Sequence, residues 1–465
     1  MLRLFRQYYP IRNIFFVIGE GVAIYSSVLL AAVLLQGEQA LHQDQWFYLK
    51  LFMITCVCQI SLYYNDLYDL KEKANFKDLS LRLLQSLGVS AIVLAFLNLA
   101  FPETIVASGI FMVGVAIVVL TIVSWRFCYS FVLSRGLFNQ RIMLLGSGGL
   151  TKKIRAEVKT RGDCGYTVAL EVPECIDDMD LEQPPGVPLI CRNQFEGLAD
   201  LSRRFEVQKI VVSFREKRSL FPTQELLRCR VEGIDVMEGN SFYEMLTGKL
   251  IVELINPSWL IFSRGFEKSK VRRVFKRAVD LLLVLLFGLL LGPFLIFMAI
   301  LIKLESAGPV FFTQDRVGER GRNYMVFKFR SMVQDAEKLS GPVWAQENDP
   351  RVTRVGRIMR RLRIDELPQI WNVLKGEMSF VGPRPEREVF VQQLEKVVPY
   401  YRERFTVKPG ITGWAQVNYG YGASVADAIE KLNYDLFYIK NMSFMMDLLV
   451  LLRTVRIVLF GHGVR

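Results

Sequence analysis

Asp365 and Glu366 open the run Asp365-Glu366-Leu367-Pro368-Gln369, directly behind a segment, Arg351 to Arg363, that carries six arginines and no acid. Adjacent carboxylates among cations suit phosphoryl transfer, in which one attacks phosphorus while the other holds a divalent metal. Taken alone, the pair reads equally as an Asp at or near a helix N-cap with a Glu in the first turn, where Pro368 is tolerated. Lys328 and Arg330 alternate with aromatics in Phe327-Lys328-Phe329-Arg330-Ser331-Met332. On an extended strand both would leave from one face, either as a phosphate clamp or as a solvated edge. Arg384 stands between Pro383 and Pro385, in a stiff loop that loses little entropy when a guanidinium meets phosphate. The only histidines, His42 and His462, lie near the two ends, so chemistry falls to carboxylates, Lys and Arg rather than to imidazole. Seven cysteines without a C-x-x-C pair argue against a zinc ribbon or a disulfide framework and for a reducing compartment.

The elements that must position these groups start in a membrane. Of 465 residues 51% are hydrophobic and 22% charged, with a net charge of +12; the mean hydropathy of +0.26 is too apolar for a soluble enzyme of this length and rules out disorder. The positive balance suits an anionic partner. Four apolar stretches, Ile14 to Leu35, Trp46 to Tyr63, Leu81 to Ala100 and Ile105 to Trp125, each approach the ~20 residues that cross a bilayer. Glu20 and Lys50 interrupt the first two and are expected against neighbouring helices or near an interface. Lys and Arg cluster before the first stretch, between the second and third, and after the fourth, which places the N-terminus and all that follows Trp125 on the cytoplasmic side. No cleaved signal peptide is expected.

From Arg141 the text alternates as α/β: strands at Arg141 to Leu145, Thr167 to Val172 and Lys209 to Phe214, with helices between and the turn Gly146-Ser147-Gly148-Gly149 after the first. A dinucleotide fingerprint wants a third glycine where Thr151 stands, so a Rossmann-like module without a cofactor is expected. Asp178-Met179-Asp180 is a D-x-D in an acidic, Pro-containing stretch and reads as a solvated loop. A fifth apolar run, Leu281 to Ile302, has basic residues at both ends and Gly288, Gly292 and Pro293 at its middle. The flanks give no inside–outside bias, and proline bends a helix. A re-entrant helix broken at Gly292-Pro293 and a kinked crossing helix fit this equally. The arginine-rich segment, with Val355, Ile358 or Met359, and Leu362 at helical spacing, reads as an amphipathic helix on anionic lipid rather than on nucleic acid. Met442 to Phe460 reads as an interfacial helix in preference to a sixth span.

Residues from about Arg273 onward resemble the bacterial sugar transferases known as monotopic phosphoglycosyl transferases. The matching text is Gly308-Pro-Val-Phe-Phe, Arg316-Val-Gly, Lys328-Phe-Arg-Ser-Met, Asp349-Pro-Arg-Val-Thr, Asp365-Glu-Leu-Pro-Gln, Gly382-Pro-Arg-Pro and Lys408-Pro-Gly-Ile-Thr-Gly-Trp-Ala-Gln-Val. With the preceding helices and Rossmann-like module, the whole chain is similar to the large members that initiate exopolysaccharide and capsule synthesis. The resemblance implies transfer of a hexose-1-phosphate from a UDP-sugar to undecaprenyl phosphate, with release of UMP, at the cytoplasmic face of the bacterial inner membrane. It implies Asp365 as nucleophile and Glu366 as ligand of Mg²⁺, with Lys328, Arg330, Arg351, Arg384, Gln369 and Arg316 as substrate-binding residues. It also favours the re-entrant hairpin, although the break reads Gly292-Pro293 where members commonly carry Ser-Pro. The expected architecture is a four-helix transmembrane domain (1–137), a Rossmann-like cytoplasmic module (138–260), a linker with the re-entrant helix (261–303) and an α/β catalytic domain with C-terminal interfacial helices (304–465). Implied partners are UDP-sugar, undecaprenyl phosphate, anionic lipids and the glycosyltransferases that act next, with no nucleic acid; a homodimer stays open.

Three rivals stand beside this. A UDP-releasing glycosyltransferase would want its D-x-D at a strand end in a nucleotide-binding domain, and a Q-x-x-R-W that the chain lacks. A sugar-nucleotide dehydratase would use Tyr324 and Lys328 as Y-x-x-x-K on a helix, whereas Tyr324 to Phe329 alternates like a strand. A membrane scaffold for polysaccharide assembly would need no acidic pair.

Overall fold

Long runs of Leu, Val, Ile and Phe without an interior proline have no competitor to helix in an apolar setting, and they are helical in the computed structural model. It describes residues 2–4, 7–9, 11–37, 45–68, 76–102, 110–134, 139–161, 164–173, 195, 197–214, 221–255, 265–266, 269–333, 351–420, 422 and 424–460. Two compact units divide the chain, Tyr8–Phe242 and Tyr243–Arg465.

In the first unit, α1 (Ile11–Gln36), α2 (Phe47–Tyr64), α3 (Phe76–Ala100) and α4 (Ile110–Ser134) pack α1 on α4, α2 on α3 and α1 on α2. Ile24, Ala31, Leu51, Leu62 and Ile122 form their shared core. Each of the four is long and apolar enough to cross a membrane. Glu20, fully buried, is answered from α4 by Arg126, whose Nε lies 2.8 Å from Glu20 Oε1. Arg126 also donates to Glu20 Oε2 and to the Leu67 carbonyl. The charge that interrupts the first apolar run is thus paired between helices, as expected of an acid in such a segment.

The same unit continues into β1 (Gln140–Leu145), α5 (Gly149–Thr160), β2 (Tyr166–Val172), α6 (Leu198–Arg204), β3 (Lys209–Val212), α7 (Thr223–Val231), β4 (Asp235–Glu238) and the start of α8 (Gly239–Thr247). All pairings are parallel and the order is β2-β1-β3-β4. β4, Asp-Val-Met-Glu, carries no apolar run and was not expected from the sequence. Asp178 to Asp180 lie outside the described residues.

The second unit is built on α9 (Lys270–Glu305), capped by Ser269 and continuous for 36 residues with Pro293 inside it. A helix–break–helix was expected there; proline removes one donor and one turn's hydrogen bond, which bends a helix more readily than it ends one. Before the proline, Asp280 accepts from Ser379 Oγ and the Phe380 N–H, and Val284 and Phe287 join a core with Val373, Phe380 and Leu436. Beyond it, Met298 and Ile302 pack on Phe329 and Met359, and Glu305 accepts the Val355 N–H. Both halves of α9 therefore rest on one body, and only Gly288 to Phe294 between them contributes to neither cluster.

That body holds an antiparallel hairpin of β5 (Phe311–Val317) and β6 (Asn323–Phe329), with Lys328 opposite Phe312. The strand at Tyr324 removes the helix that a Y-x-x-x-K pair would need. There follow α10 (Arg354–Arg361), a 3₁₀ turn (Ile364–Gln369), α11 (Ile370–Lys375) and β7 (Ser379–Val381), which pairs in parallel with β8 (Gly410–Thr412). Two C-terminal helices, α12 (Val425–Asn441) and α13 (Phe444–Phe460), close the core through Leu436, Phe437, Tyr438, Met446 and Val450. Met446, Leu449 and Val450 of α13 are thus used in this core, while Phe444, Met445, Leu448, Leu452 and Val455 stay exposed.

Removing one member of the Glu20–Arg126 pair strands the other charge in an apolar core. Arg126→Met is expected to cost ~3–5 kcal/mol of stability, with most of it recovered in Glu20→Leu/Arg126→Met. Unfolding followed in detergent checks this, and an unchanged transition in the single variant would contradict it.

Candidate active site

Asp365 and Glu366 occupy the 3₁₀ turn, where the sequence suggested the first turn of an α-helix. Helix α10 starts at Thr353, whose Oγ1 accepts the Gly356 N–H at 2.9 Å. It stops where Arg363 adopts a left-handed conformation, φ 57°. That reversal brings the Arg363 guanidinium back to 3.8 Å from Glu366 Oε2. α10 itself divides its apolar residues: Met359 is buried on Phe329 and Ile302, while Ile358 and Leu362 stay exposed beside Arg354, Arg357 and Arg361.

Glu366 is buried and is the electrostatic hub. Its Oε1 accepts from Lys328 Nζ at 2.9 Å and from Arg384 at 2.6 Å. Its Oε2 has only longer approaches, 3.5 Å from Arg384 and 3.8 Å from Arg363. Burial opposes ionisation of Glu366, but Arg384, Lys328 and Arg363 together hold the carboxyl well below the usual range. Asp365 has the opposite fate. Burial and the neighbouring Glu366 charge push its carboxyl up to about 6 against the pull of Lys328, Arg360 and Arg363. Its Oδ1 is buried and accepts no hydrogen bond. A carboxylate that is ionised near neutrality yet poorly solvated is a competent nucleophile or base. With Lys328, Arg360, Arg363 and Arg384 facing two acids, the cluster keeps a positive surplus, which suits a diphosphate.

Arg384 is delivered by backbone crossings that leave no room for side chains. A Cβ on Gly410 would lie 2.1 Å from Gly382 N, and one on Gly413 2.2 Å from Gly382 O. Gly382 donates to Thr412 O, and Gly410 to Pro383 O. Two further arginines fix the loop: Arg316 donates to Pro385 O at 3.2 Å, and Arg404 to Arg384 O at 3.1 Å. Arg404 is buried and paired with buried Asp435 at 2.9 Å. Asn372, fully buried, accepts the Phe327 N–H and donates to Met325 O and Glu377, so it ties the strand bearing Lys328 to the helix behind the dyad.

The structure therefore brings Lys328 and Arg384 onto Glu366, beside Asp365, and does not bring Arg330 there. Beyond the end of β6, Arg330 donates to Ser306 O and Oγ and to Ala307 O, so it clasps the end of α9 where a phosphate clamp was expected. Arg316 acts on the Pro385 loop and on Gln314, 2.6 Å away. Arg351 takes the Val333 N–H on its carbonyl, next to the Met332–Val352 bridge. Gln369 is buried at the end of the 3₁₀ turn. Gly292 and Pro293 lie within α9, and Asp349 lies outside the described residues. Sequence reasoning gave Arg360 and Arg363 to a lipid-facing helix and missed Arg404, Asp435 and Asn372; the one available signal for these three was Asn372, an amide in Ile370-Trp-Asn-Val-Leu.

Among the described residues no group of three or more His, Cys, Asp or Glu is placed to hold a metal. Asp365 Oδ1 is buried without a hydrogen-bond partner, and Glu366 Oε2 is loosely held. One or two carboxylate oxygens fit Mg²⁺, which takes its other ligands from water and substrate phosphate.

The family model described as bacterial sugar transferase matches residues 271–461. An Aeromonas hydrophila protein named UDP-N-acetylgalactosamine-undecaprenyl-phosphate N-acetylgalactosaminephosphotransferase is 44% identical over 240 residues, 52% of this chain and 56% of its own. The UDP-glucose:undecaprenyl-phosphate glucose-1-phosphate transferase of Escherichia coli (strain K12) is 45% identical over 192 residues, 40% of each chain. The exopolysaccharide production protein PSS of Rhizobium leguminosarum bv. phaseoli is 44% identical over 187 residues, 39% of this chain and 94% of its own. The chain thus spans about half the length of the first two and nearly all of the third, and all of these alignments are far above what chance similarity gives. The chain belongs to the bacterial sugar transferase family.

Proposed function

We propose that this chain transfers a hexose-1-phosphate from a UDP-sugar to undecaprenyl phosphate, releasing UMP, as the first membrane step of exopolysaccharide or capsule repeat-unit synthesis. The observation that carries the reading is Asp365, whose Oδ1 is buried and unpartnered next to a glutamate held by three cations. The names of the relatives, which specify undecaprenyl phosphate and UDP-sugars, support the two substrates.

In this reading Lys328, Arg363 and Arg384 exchange part of their hold on Glu366 for the oxygens of the diphosphate. Asp365 attacks the sugar-bearing phosphorus. A bond forms from its carboxylate oxygen to phosphorus, the phosphorus–oxygen bond to UMP breaks, and UMP leaves with the electron pair. A phosphate oxygen of the lipid then attacks the same phosphorus and expels the Asp365 carboxylate, giving the lipid-linked diphosphosugar. Mg²⁺ on Glu366 would supply charge neutralisation of the diphosphate and of the departing UMP. Arg316 and Arg404 act on Arg384 through its loop.

We read the four N-terminal helices as transmembrane and α9 as re-entrant, with the active site at the cytoplasmic face of the inner membrane. Support for the re-entrant reading comes from the packing of both ends of α9 on the catalytic core, through Val284 and Phe287 before Pro293 and through Met298 and Ile302 after it. Leu285, Leu289 and Leu290 are 70%, 81% and 69% exposed, an apolar surface fit for lipid. The exposed Ile358 and Leu362 among arginines of α10 suit the headgroup layer, where the acceptor phosphate lies.

Purified protein given UDP-sugar, Mg²⁺ and undecaprenyl phosphate should release UMP, and Asp365→Asn should lower turnover by at least about a thousandfold, on the scale of losing a nucleophile. Release of UDP, or undiminished turnover in the variant, contradicts the reading. Because Asp365 must be ionised and its carboxyl sits at about 6, the transfer rate should fall about tenfold per unit below that pH and level off above it; a level rate well below pH 6 contradicts this. Single cysteines at Lys270 and Leu304, at the two ends of α9, should react with an impermeant label from the same side of the membrane. Labelling from opposite sides would refute the re-entrant helix.

A further inference from the structure

The parallel module in the first unit has a polar cleft that the transferase reading does not use. It is lined by Gly146, Ser147, Thr151, Lys152, Arg155 and Glu171. The turn after β1 runs through Gly146, φ +111°, into α5, whose N-cap is Gly148 and has no side-chain cap. The first turn of this twelve-residue helix, from which Thr151 and Lys152 line the cleft, has no N-cap side chain and carries the positive end of the helix dipole. Glu171, near the end of β2 and 5% exposed, supplies a second, opposite signal. Arg155 holds its Oε2 at 3.0 Å, while its Oε1 is buried and accepts nothing.

A bare phosphate or sulfate offers Glu171 Oε1 no donor, so a ligand that satisfies both ends must carry an anion and, a few ångströms away, a hydroxyl donor. Ribose phosphate does, and a helix N-terminus after β1 with a carboxylate at the end of β2 is the arrangement that takes phosphate and ribose in parallel α/β sheets. A dinucleotide is excluded by the other side of the turn. Thr151 and Ser213 share a hydroxyl hydrogen bond of 2.6 Å, Ser213 donates to Leu145 O, and a Cβ on Gly146 would meet Ser213 O at 2.7 Å. The crevice between the ends of β1 and β3, where a second nucleotide would continue, is plugged.

From this arrangement we infer a nucleoside-phosphate site in the β1–β2 half of the module, with the phosphate on the α5 N-terminus and Lys152, and a ribose hydroxyl donating to Glu171. Arg155, lying on the carboxylate, is the side chain that turns aside to admit the ribose. The site stands apart from the transferase reading and does not rest on it.

The test is calorimetric titration of the full-length protein in detergent with AMP, CMP, GMP and UMP, and with inorganic phosphate and glucose 1-phosphate as comparisons. At least one nucleotide should bind, and Glu171→Gln and the exposed Lys152→Glu should each weaken it by about tenfold or more. An unchanged unfolding midpoint of Lys152→Glu keeps that variant informative if Glu171→Gln is unstable. UMP that also occupies the catalytic site should show two sites in the wild type and one in Lys152→Glu. Absence of any nucleotide binding sensitive to Lys152→Glu overturns the proposal, as does equal binding of inorganic phosphate or glucose 1-phosphate.

Discussion

Everything at the site turns on the unequal treatment of two adjacent carboxylates. Three cations converge on Glu366, while Asp365, one residue away, has a buried carboxylate oxygen with no hydrogen-bond partner. Neither half would suffice. Without the cations, two neighbouring buried acids would share a proton; without the burial, Asp365 would be an ordinary solvated carboxylate. The 3₁₀ turn achieves the separation by changing direction at Arg363, so that one acid faces the hairpin and the Pro-Arg-Pro loop and the other does not share their hydrogen bonds.

The rest of the second unit can be understood as support for that asymmetry. Asn372 holds the strand that carries Lys328. Arg316 and Arg404 hold the loop that carries Arg384, and Arg404 is itself neutralised by Asp435 in the core. Breaking such a buried pair leaves an uncompensated charge, so the loop is rigid because its alternatives are costly. α9 braces the same body twice, through Arg277 and Asp280 before Pro293 and through Glu305 and the Arg330 clasp after it. The dyad is thereby fixed relative to the apolar surface of α9 as well as to its own cations.

How much of this the sequence disclosed follows from range. Asp365, Glu366, Lys328 and Arg384 were legible because residue type and local spacing carry them. The parallel strands of the middle module were legible because buried strands are written as short apolar runs; β4, Asp-Val-Met-Glu, was not, because its strand character comes from its neighbour β3. Arg330 was misplaced for a definable reason. Alternation gives the face of a strand, but β6 ends at Phe329, and one residue later the side chain answers to the carbonyls of Ser306 and Ala307. Arg404 and Asp435 meet across 31 positions, a distance at which no local pattern speaks. For α9, composition offered a broken or a crossing helix, and the helix runs unbroken through Pro293, because the one donor that proline removes need not end a helix.

The central claim is that Asp365 carries the sugar phosphate covalently between donor and acceptor. The most direct measurement is peptide mass spectrometry of protein incubated with UDP-sugar in the absence of lipid. The account predicts a hexose-phosphate adduct on the peptide containing Asp365, lost when undecaprenyl phosphate is added. An adduct confined to another residue, or transfer at full rate with no adduct on any time scale sampled, would contradict it.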